Sequence, residues 1–337
     1  MTSEQANQAR WDGRPGFFEI WFLVVFDPSA PRAWWLRYTT FAPAAEQAGT
    51  PRATLWAAAF AADAPPVAAK RILPASAYGV DAERFSVHIG PALLTNGTCR
   101  GEVASRGHAI AWDLRFTPAV RATRHGPWLV HHLPLPTRVA HANSDVSCHG
   151  WVSVDGRRVA LDGAHATQKH LWGTRRVEEL LWLYCPQFAG ALDTRLEATS
   201  VRLRRRRLAP RLTPIWLQSG QRTLDWGRLG SLFRNRVRPT EIGRVEVRAA
   251  SATSALVGSA WCEPASLVGY VYRDPAGWDV YVAQSDVASC ALERLERRHP
   301  FAAWRPAGRL TAEHRAALEF HAPEPLPGVT YLEWDAV

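Results

Sequence analysis

The chain has 337 residues, 47% of them apolar, which is enough for sizeable cores and excludes a disordered protein. Its net charge of +9 comes from arginine, with lysine only at Lys70 and Lys169, a bias that a GC-rich bacterial genome produces. No zinc-finger, RNP-type or helix-turn-helix pattern accompanies that charge, so nucleic acid is not an expected partner, and no apolar run reaches the ~18 residues a membrane helix needs.

The N-terminal MTSEQANQARWDGRPG has no basic segment followed by an apolar core, so a secretory leader is not expected and a cytoplasmic location is. Short β-branched or aromatic runs, punctuated by Gly, Pro, Asp and Asn, predict strands at 17–26, 33–41, 53–60, 84–90, 98–104, 108–116 and 127–133. Asp155-Gly156 predicts a tight primed turn between strands 150–154 and 157–161. Strand 180–188 follows, and the break at 189–193 divides the chain into expected domains 1–190 and 191–337. A meander then runs through 196–218, 221–226 and 243–262. It carries the basic RLRRRRL (202–208), read as a solvated strand. A second hairpin, 267–285, turns at Asp274-Pro275-Ala276-Gly277. The one expected helix is 285–298, with Ser285 or Asp286 as cap and Val287, Ala288, Ala291, Leu292 and Leu295 as its apolar stripe. Many short antiparallel strands with a single helix predict an all-β protein of two barrels.

The five cysteines are dispersed, odd in number and never spaced CxxC, so neither a disulfide framework nor a cysteine zinc site is expected. Histidines 125, 131, 132, 141, 149, 165 and 170 lack the spacing that puts two imidazoles on one face, so no metal is expected. No P-loop, GxGxxG or GxSxG element is present, and no cofactor is expected. Sixteen tryptophans are the more informative count. They imply very aromatic cores or an aromatic-lined cavity, and a barrel is a suitable container for one apolar ligand.

A carboxylic acid among apolar side chains keeps its proton near neutral pH, and aromatic faces attract a developing cation. The acids in suitable company are Glu19, Asp113, Asp162 and Glu197, of which Glu19 and Glu197 are expected nearest an inner aromatic wall. Phe17, Glu19, Trp21 and Leu23 share one face of their strand, so Glu19 is either in a pocket or paired with an arginine such as Arg37. Trp21, Tyr38, Trp112, Trp182 and Tyr184 are candidates for the ligand-facing wall. His170 and Trp172 also share a face: either His170 bonds an acid or water while Trp172 stacks on a ligand, or both are core. A pocket at the contact between the domains would favour residues near the boundary, such as Glu197.

Three segments together resemble a known family. They are WDGRPGFFEIWFLVVFDPSAPRAWWLRYT (11–39), HGWVSVDGRRVALDGAHATQKHLWGTRR (149–176), and the pair GYVYRDPAGWDVYVAQS (269–285) with ALEFHAPEPLPGVTYLEW (317–334). The chain resembles the bacterial AttH-like proteins, which are related to the carotenoid 1,2-hydratases (hydroxyneurosporene synthases) and more loosely to tocopherol cyclases. His170-x-Trp172-Gly173 is the most specific part of the likeness. The resemblance implies two tandem lipocalin-like antiparallel barrels. It also implies a function in one of two classes: acid-initiated hydration or cyclisation of an isoprenoid or other lipid without a cofactor, or carriage of such a ligand without chemistry. Barrels filled by their own tryptophans would instead leave no cavity above about 300 Å3.

Overall fold

A computed structural model describes residues 1–81, 83–123, 135–202 and 211–332. The expected strand 127–133 and most of the basic 202–208 segment lie outside the described residues.

Nearly every predicted strand forms. The first sheet comprises β1 (Phe17–Phe26), β2 (Arg32–Ala42), β3 (Arg52–Ala61), β4 (Ala64–Pro74), β5 (Tyr78–Val80), β6 (Ser86–Ile89), β7 (Ala92–Thr95), β8 (Thr98–Ser105), β9 (His108–Phe116), β10 (Thr137–Val154) and β11 (Arg157–Gly173). Its strand order is β4-β3-β2-β1-β11-β10-β9-β8-β7-β6-β5. The edge strand β4 comes back against β8 and β9, where the Lys70 backbone N–H donates to Ser105 Oγ at 2.9 Å, so this sheet is nearly closed into a barrel. Asp155 and Gly156 both adopt positive φ (49° and 81°), as the primed turn between β10 and β11 requires.

The second sheet holds β12 (Glu179–Cys185), β13 (Thr194–Arg202), β14 (Arg211–Leu212), β15 (Ile215–Ser219), β16 (Arg222–Asp225), β17 (Arg236–Glu241), β18 (Arg244–Ala250), β19 (Ser254–Trp261), β20 (Val268–Arg273), β21 (Asp279–Glu296) and β22 (Arg305–Ala322). It wraps a core of its own built on Leu183, Leu196, Leu217, Val247, Leu256 and Leu292. Strand β12 pairs with β13 and β22, so the chain passes from one sheet to the other between Gly173 and Glu179, ahead of the 189–193 break.

The expected helix 285–298 is not formed. Residues 285–296 are the second half of β21, hydrogen-bonded to β19 on one side and β22 on the other. The apolar pairs 288/292 and 291/295 are four apart, and such pairs share a face at period 3.6 and at period two alike. The pattern was therefore ambiguous, and two neighbouring strands that satisfy its backbone decided it.

Strand β1 is buried along its whole length and on both faces. Trp21, Leu23 and Val25 point into the first barrel, where they meet Tyr38, Phe85, Trp112 and Phe116. Phe18, Ile20, Phe22, Val24 and Phe26 point outward against the second sheet. There Phe22 meets Trp182 edge-on with centroids 5.9 Å apart, Trp35 stacks on Tyr270 at 5.4 Å, and Phe26 lies 6.0 Å from Tyr184. These aromatics join the two sheets through a shared dry core.

The N-terminal residues close one end of the first barrel. A short helix α1 (Ser3–Asn7) starts at Thr2 with a reciprocal capping box to Gln5. Its last residues turn inward: Asn7 O accepts from Trp21 Nε1 (2.8 Å), and Asn7 Nδ2 donates to Gln168 Oε1 (2.9 Å). Gly173 ends β11 because a Cβ there would lie 2.0 Å from Pro136 O, which explains the glycine of the His-x-Trp-Gly element.

One acid sits inside the shared core. Asp286 is wholly buried and accepts from Gln284 Nε2 at 2.9 and 3.1 Å, while Gln284 Oε1 accepts from the Tyr270 hydroxyl. Burial pushes its carboxyl up from 3.8 to about 8; the Gln284 hydrogen bond opposes this and the Glu319 charge adds to it. Between those two values the folded state binds more protons than the unfolded one, so the acid's contribution to stability is lost as pH rises through about 8. Thermal unfolding followed from pH 5 to 9 is expected to show stability falling by up to ~1.4 kcal/mol per pH unit from this group until about pH 8, and levelling above it. Asp286→Asn should flatten that dependence and leave the variant the more stable protein at pH 9.

Candidate active site

A cavity of about 650 Å3 lies between the outward faces of the two sheets, not inside either of them. Its floor is the outer face of the first sheet, from Ile20 and Phe22 of β1, Trp35 and Arg37 of β2, and Lys169 and Leu171 of β11. The facing wall is Trp182 of β12, Glu197 of β13, Trp216 of β15, Tyr272 of β20, and Glu319 and His321 of β22. The strand register explains the floor. Phe22 lies directly opposite Arg37 on one side and Lys169 on the other, so Arg37, Phe22 and Lys169 form one row across three strands.

Three polar side chains meet at the Lys169 end of that row. Lys169 Nζ donates to Glu197 Oε1 and lies 2.8 Å from His141 Nδ1. Glu197 Oε1 also accepts from Trp182 Nε1 (3.0 Å) and lies 3.4 Å from His141 Nδ1. Lys169 and Glu197 are each only 3% exposed. Burial works against the Lys169 charge and lowers its affinity for the proton; the Glu197 carboxylate restores part of it, and Glu319 adds a smaller restoring effect. A lysine so placed touches two groups able to take its proton, Glu197 and His141. The cluster can therefore hold a proton in more than one place beside the cavity.

Aromatic rings surround this cluster. Lys169 Nζ is 5.1 Å from the Trp182 ring centroid, and Trp216 and Phe22 complete the wall. A second pair, Glu319 and His321 Nε2 at 2.5 Å, lies on the neighbouring strand, Glu319 directly opposite Trp182 in register, with the His321 ring 5.6 Å from Tyr272. At the Arg37 end stand two buried guanidiniums, Arg37 and Arg176. Burial first, and the Arg37 charge second, lower the Arg176 value from its ordinary one. Among the described residues no group of three or more His, Cys, Asp or Glu side chains is placed to hold a metal.

Of the candidate catalytic and ligand-wall residues taken from sequence, Glu197, Trp172 and Trp182 line the cavity and the others do not. Glu19 is fully buried on the barrel side of β1. There Oε1 accepts from Arg10 N (2.6 Å), Oε2 accepts from Trp11 N (2.9 Å), and His170 Nε2 lies 2.8 Å from Oε1. Its partner is therefore His170, not Arg37, which projects from the other face of the sheet. His170 Nδ1 faces the Ala6 carbonyl at 2.8 Å, and its ring stacks on Trp21 at 4.7 Å. Glu19 and His170 thus fasten the N-terminal segment over the barrel end. Trp112 donates to the Tyr38 hydroxyl (3.2 Å), which donates to Arg100 O (2.7 Å), so both plug the barrel with Trp21. Tyr184 stacks behind Trp182 and donates to Ser144 O at 2.6 Å. Asp162 is exposed beside His149 (2.7 Å), and Asp113 lies off the cavity on β9.

No family model matches the chain, and no curated protein matches it significantly. Solved structures do. A Nitrosomonas europaea protein assigned as an AttH is 13% identical, with TM-score 0.53 over 89% of this chain and 92% of that one. Kievitone hydratase from Nectria haematococca is 9% identical, with TM-score 0.53 over 94% and 91%. CghA bound to Sch210972 is 10% identical, with TM-score 0.50 over 91% and 88%. The chain shares their lipocalin-like fold.

Within this lipocalin-like fold, sequence reasoning passed over Lys169, His141 and Arg176. Lys169 had a signal. In a chain whose other basic residues save Lys70 are arginine, a lysine marks a place where a cation able to lose its proton is tolerated, and guanidinium is not such a cation. His141 and Arg176 had none, because nothing local shows which face or connector meets the other sheet.

The two acid–histidine arrangements should separate on substitution. Glu19→Gln and His170→Asn are expected to lower unfolding free energy by about 2 kcal/mol or more in urea titrations, because each leaves buried donors or acceptors unfilled. Neither should alter the affinity of a ligand held in the inter-sheet cavity, as measured by tryptophan fluorescence.

Proposed function

We propose that the chain is an enzyme that binds an apolar, unsaturated small molecule in the inter-sheet cavity and catalyses its hydration or cyclisation by proton transfer from the Lys169–Glu197–His141 cluster. The observation that carries this reading is the cluster itself: three proton-exchanging groups, two of them almost wholly buried, on the wall of a 650 Å3 aromatic-lined cavity. Kievitone hydratase, whose name states a hydration, has the same fold.

The chemistry follows from the parts. Lys169, Glu197 and His141 are themselves buried, so a proton passed among them is held away from bulk water and stays available to the ligand. Proton addition to one carbon of a double bond leaves positive charge on its neighbour, which the faces of Trp182, Trp216 and Phe22 stabilise. A water or an internal hydroxyl of the ligand then adds to that carbon, and the adding oxygen returns its proton to the cluster, which ends as it began. No step calls on a cofactor.

The test begins with native mass spectrometry and solvent extraction of protein from its own source. A retained unsaturated compound should gain one water, or convert to an isomer, when incubated with the wild type. Glu197→Gln should still bind it but turn over about 100-fold more slowly, the scale of a lost general acid–base group. A retained compound that the wild type leaves unchanged would favour the carrier reading. Tryptophan fluorescence indifferent to a panel of apolar ligands, with nothing retained, would sink both.

A further inference from the structure

Arg37 is an arginine with no exposed surface at all. Its Nε donates to Thr39 Oγ1 at 2.8 Å, but Nη1 and Nη2 find no acceptor among the protein's own atoms. Its guanidinium carbon lies over the Tyr272 ring, 4.1 Å from the centroid, and 4.9 Å from that of Trp56. Arg176, on the connector between the sheets, is 6% exposed. Its Nε donates to Arg273 O at 2.6 Å while Nη2 finds no acceptor, and its guanidinium carbon is 4.8 Å from the same Tyr272 ring. Both side chains line the inter-sheet cavity.

Two cations beside one ring, with three donor nitrogens unfilled, cost free energy that only an anion or further acceptors would recover. The acids at hand are engaged elsewhere. Asp274 Oδ2 accepts the backbone N–H of Arg176 (2.5 Å) and Oδ1 that of Ala276 (2.8 Å), while Glu319 pairs with His321. A planar monoanion suits forked guanidinium donors, and the aromatic surroundings disfavour the larger desolvation of a dianion.

We infer that Arg37 and Arg176 form a carboxylate-binding subsite of the cavity, so that its ligand is an apolar acid. The register adds a distance. Arg37 and Lys169 flank Phe22 in one row, two strand spacings apart, or about 10 Å between their backbones. A ligand anchored by its carboxylate at Arg37 lays its chain over Phe22 and presents a bond several carbons away to Lys169 and Glu197. This deepens the proposed function and rests on the cavity being the ligand site.

Oleic acid and oleyl alcohol test it, being alike in chain and double bond and different in charge. Binding is followed by tryptophan fluorescence and checked by native mass spectrometry. The wild type should bind the acid about ten-fold more tightly than the alcohol, or better. Arg37→Gln and Arg176→Gln should each bring that ratio several-fold closer to one while leaving the affinity for the alcohol within about two-fold. Lys169→Met should keep the preference. If Arg37→Gln does not fold, Arg37→Lys, which retains charge but not the fork, together with Arg176→Gln, carries the same comparison. Equal binding of acid and alcohol by the wild type would overturn the carboxylate subsite and leave the cavity reading standing. So would a preference that survives both arginine substitutions and disappears in Lys169→Met. Binding of neither probe would remove the cavity reading and the subsite with it.

Discussion

Burial of β1 on both faces is the constraint from which the rest of the architecture follows. Its side chains alternate, so one set of apolar residues, Trp21, Leu23 and Val25, must fill a barrel, and the other, Phe18 to Phe26, must meet something outside it. Burying a side chain of this size is worth roughly 2 kcal/mol or more, which the outward set would forfeit if left in water. The second sheet supplies the cover through Trp182, Tyr184, Tyr270 and Tyr272. The two outward faces do not meet at every point, and the space left by that mismatch is the cavity. Its position follows from that mismatch.

What lines the gap then acquires unusual chemistry. Residues that would be solvated on an isolated barrel, Arg37 and Lys169 among them, are roofed over and lose their water. Lys169 answers with Glu197 and His141, one contributed by each sheet, so that this cluster exists only when the sheets are together. Glu19 and His170 show the contrasting outcome. They face the barrel interior, where the N-terminal segment brings two backbone N–H groups and a carbonyl to meet them. Both sites bury an acid beside a histidine, yet one is closed off by its own chain and the other opens onto a space a ligand can fill.

Much of this was legible in the chain. The aromatic and β-branched run Phe17–Phe26, the strand pattern in Thr98–Phe116, the Asp-Gly and Asp-Pro-Ala-Gly turns, and the tryptophan count lead to an all-β protein with aromatic contacts. Glu197 stood out through an expected aromatic neighbourhood and a place near the expected 189–193 boundary, and Trp182 as part of a wall continuing from His170 and Trp172. Glu19 was misplaced for a definable reason: period two tells which residues share a face but not which face is hollow. The outer face of β1, with Phe22 between Arg37 and Lys169, proved to be the one beside a space. The helix expected at 285–298 failed on a related ambiguity, since spacing by four suits a strand as well as a helix.

The sequence by itself determined the class of fold, the strands and turns, and the abundance of buried aromatic surface, because these depend on side-chain type and periodicity over a few residues. Only the tertiary structure decided where the cavity lies and which charged groups border it. Lys169 and His141 belong to the first sheet and Glu197 to the second, while Arg37 and Arg176 come from a strand of one and the connector to the other. Their proximity is a property of how two sheets dock, and local chain pattern carries no term for that.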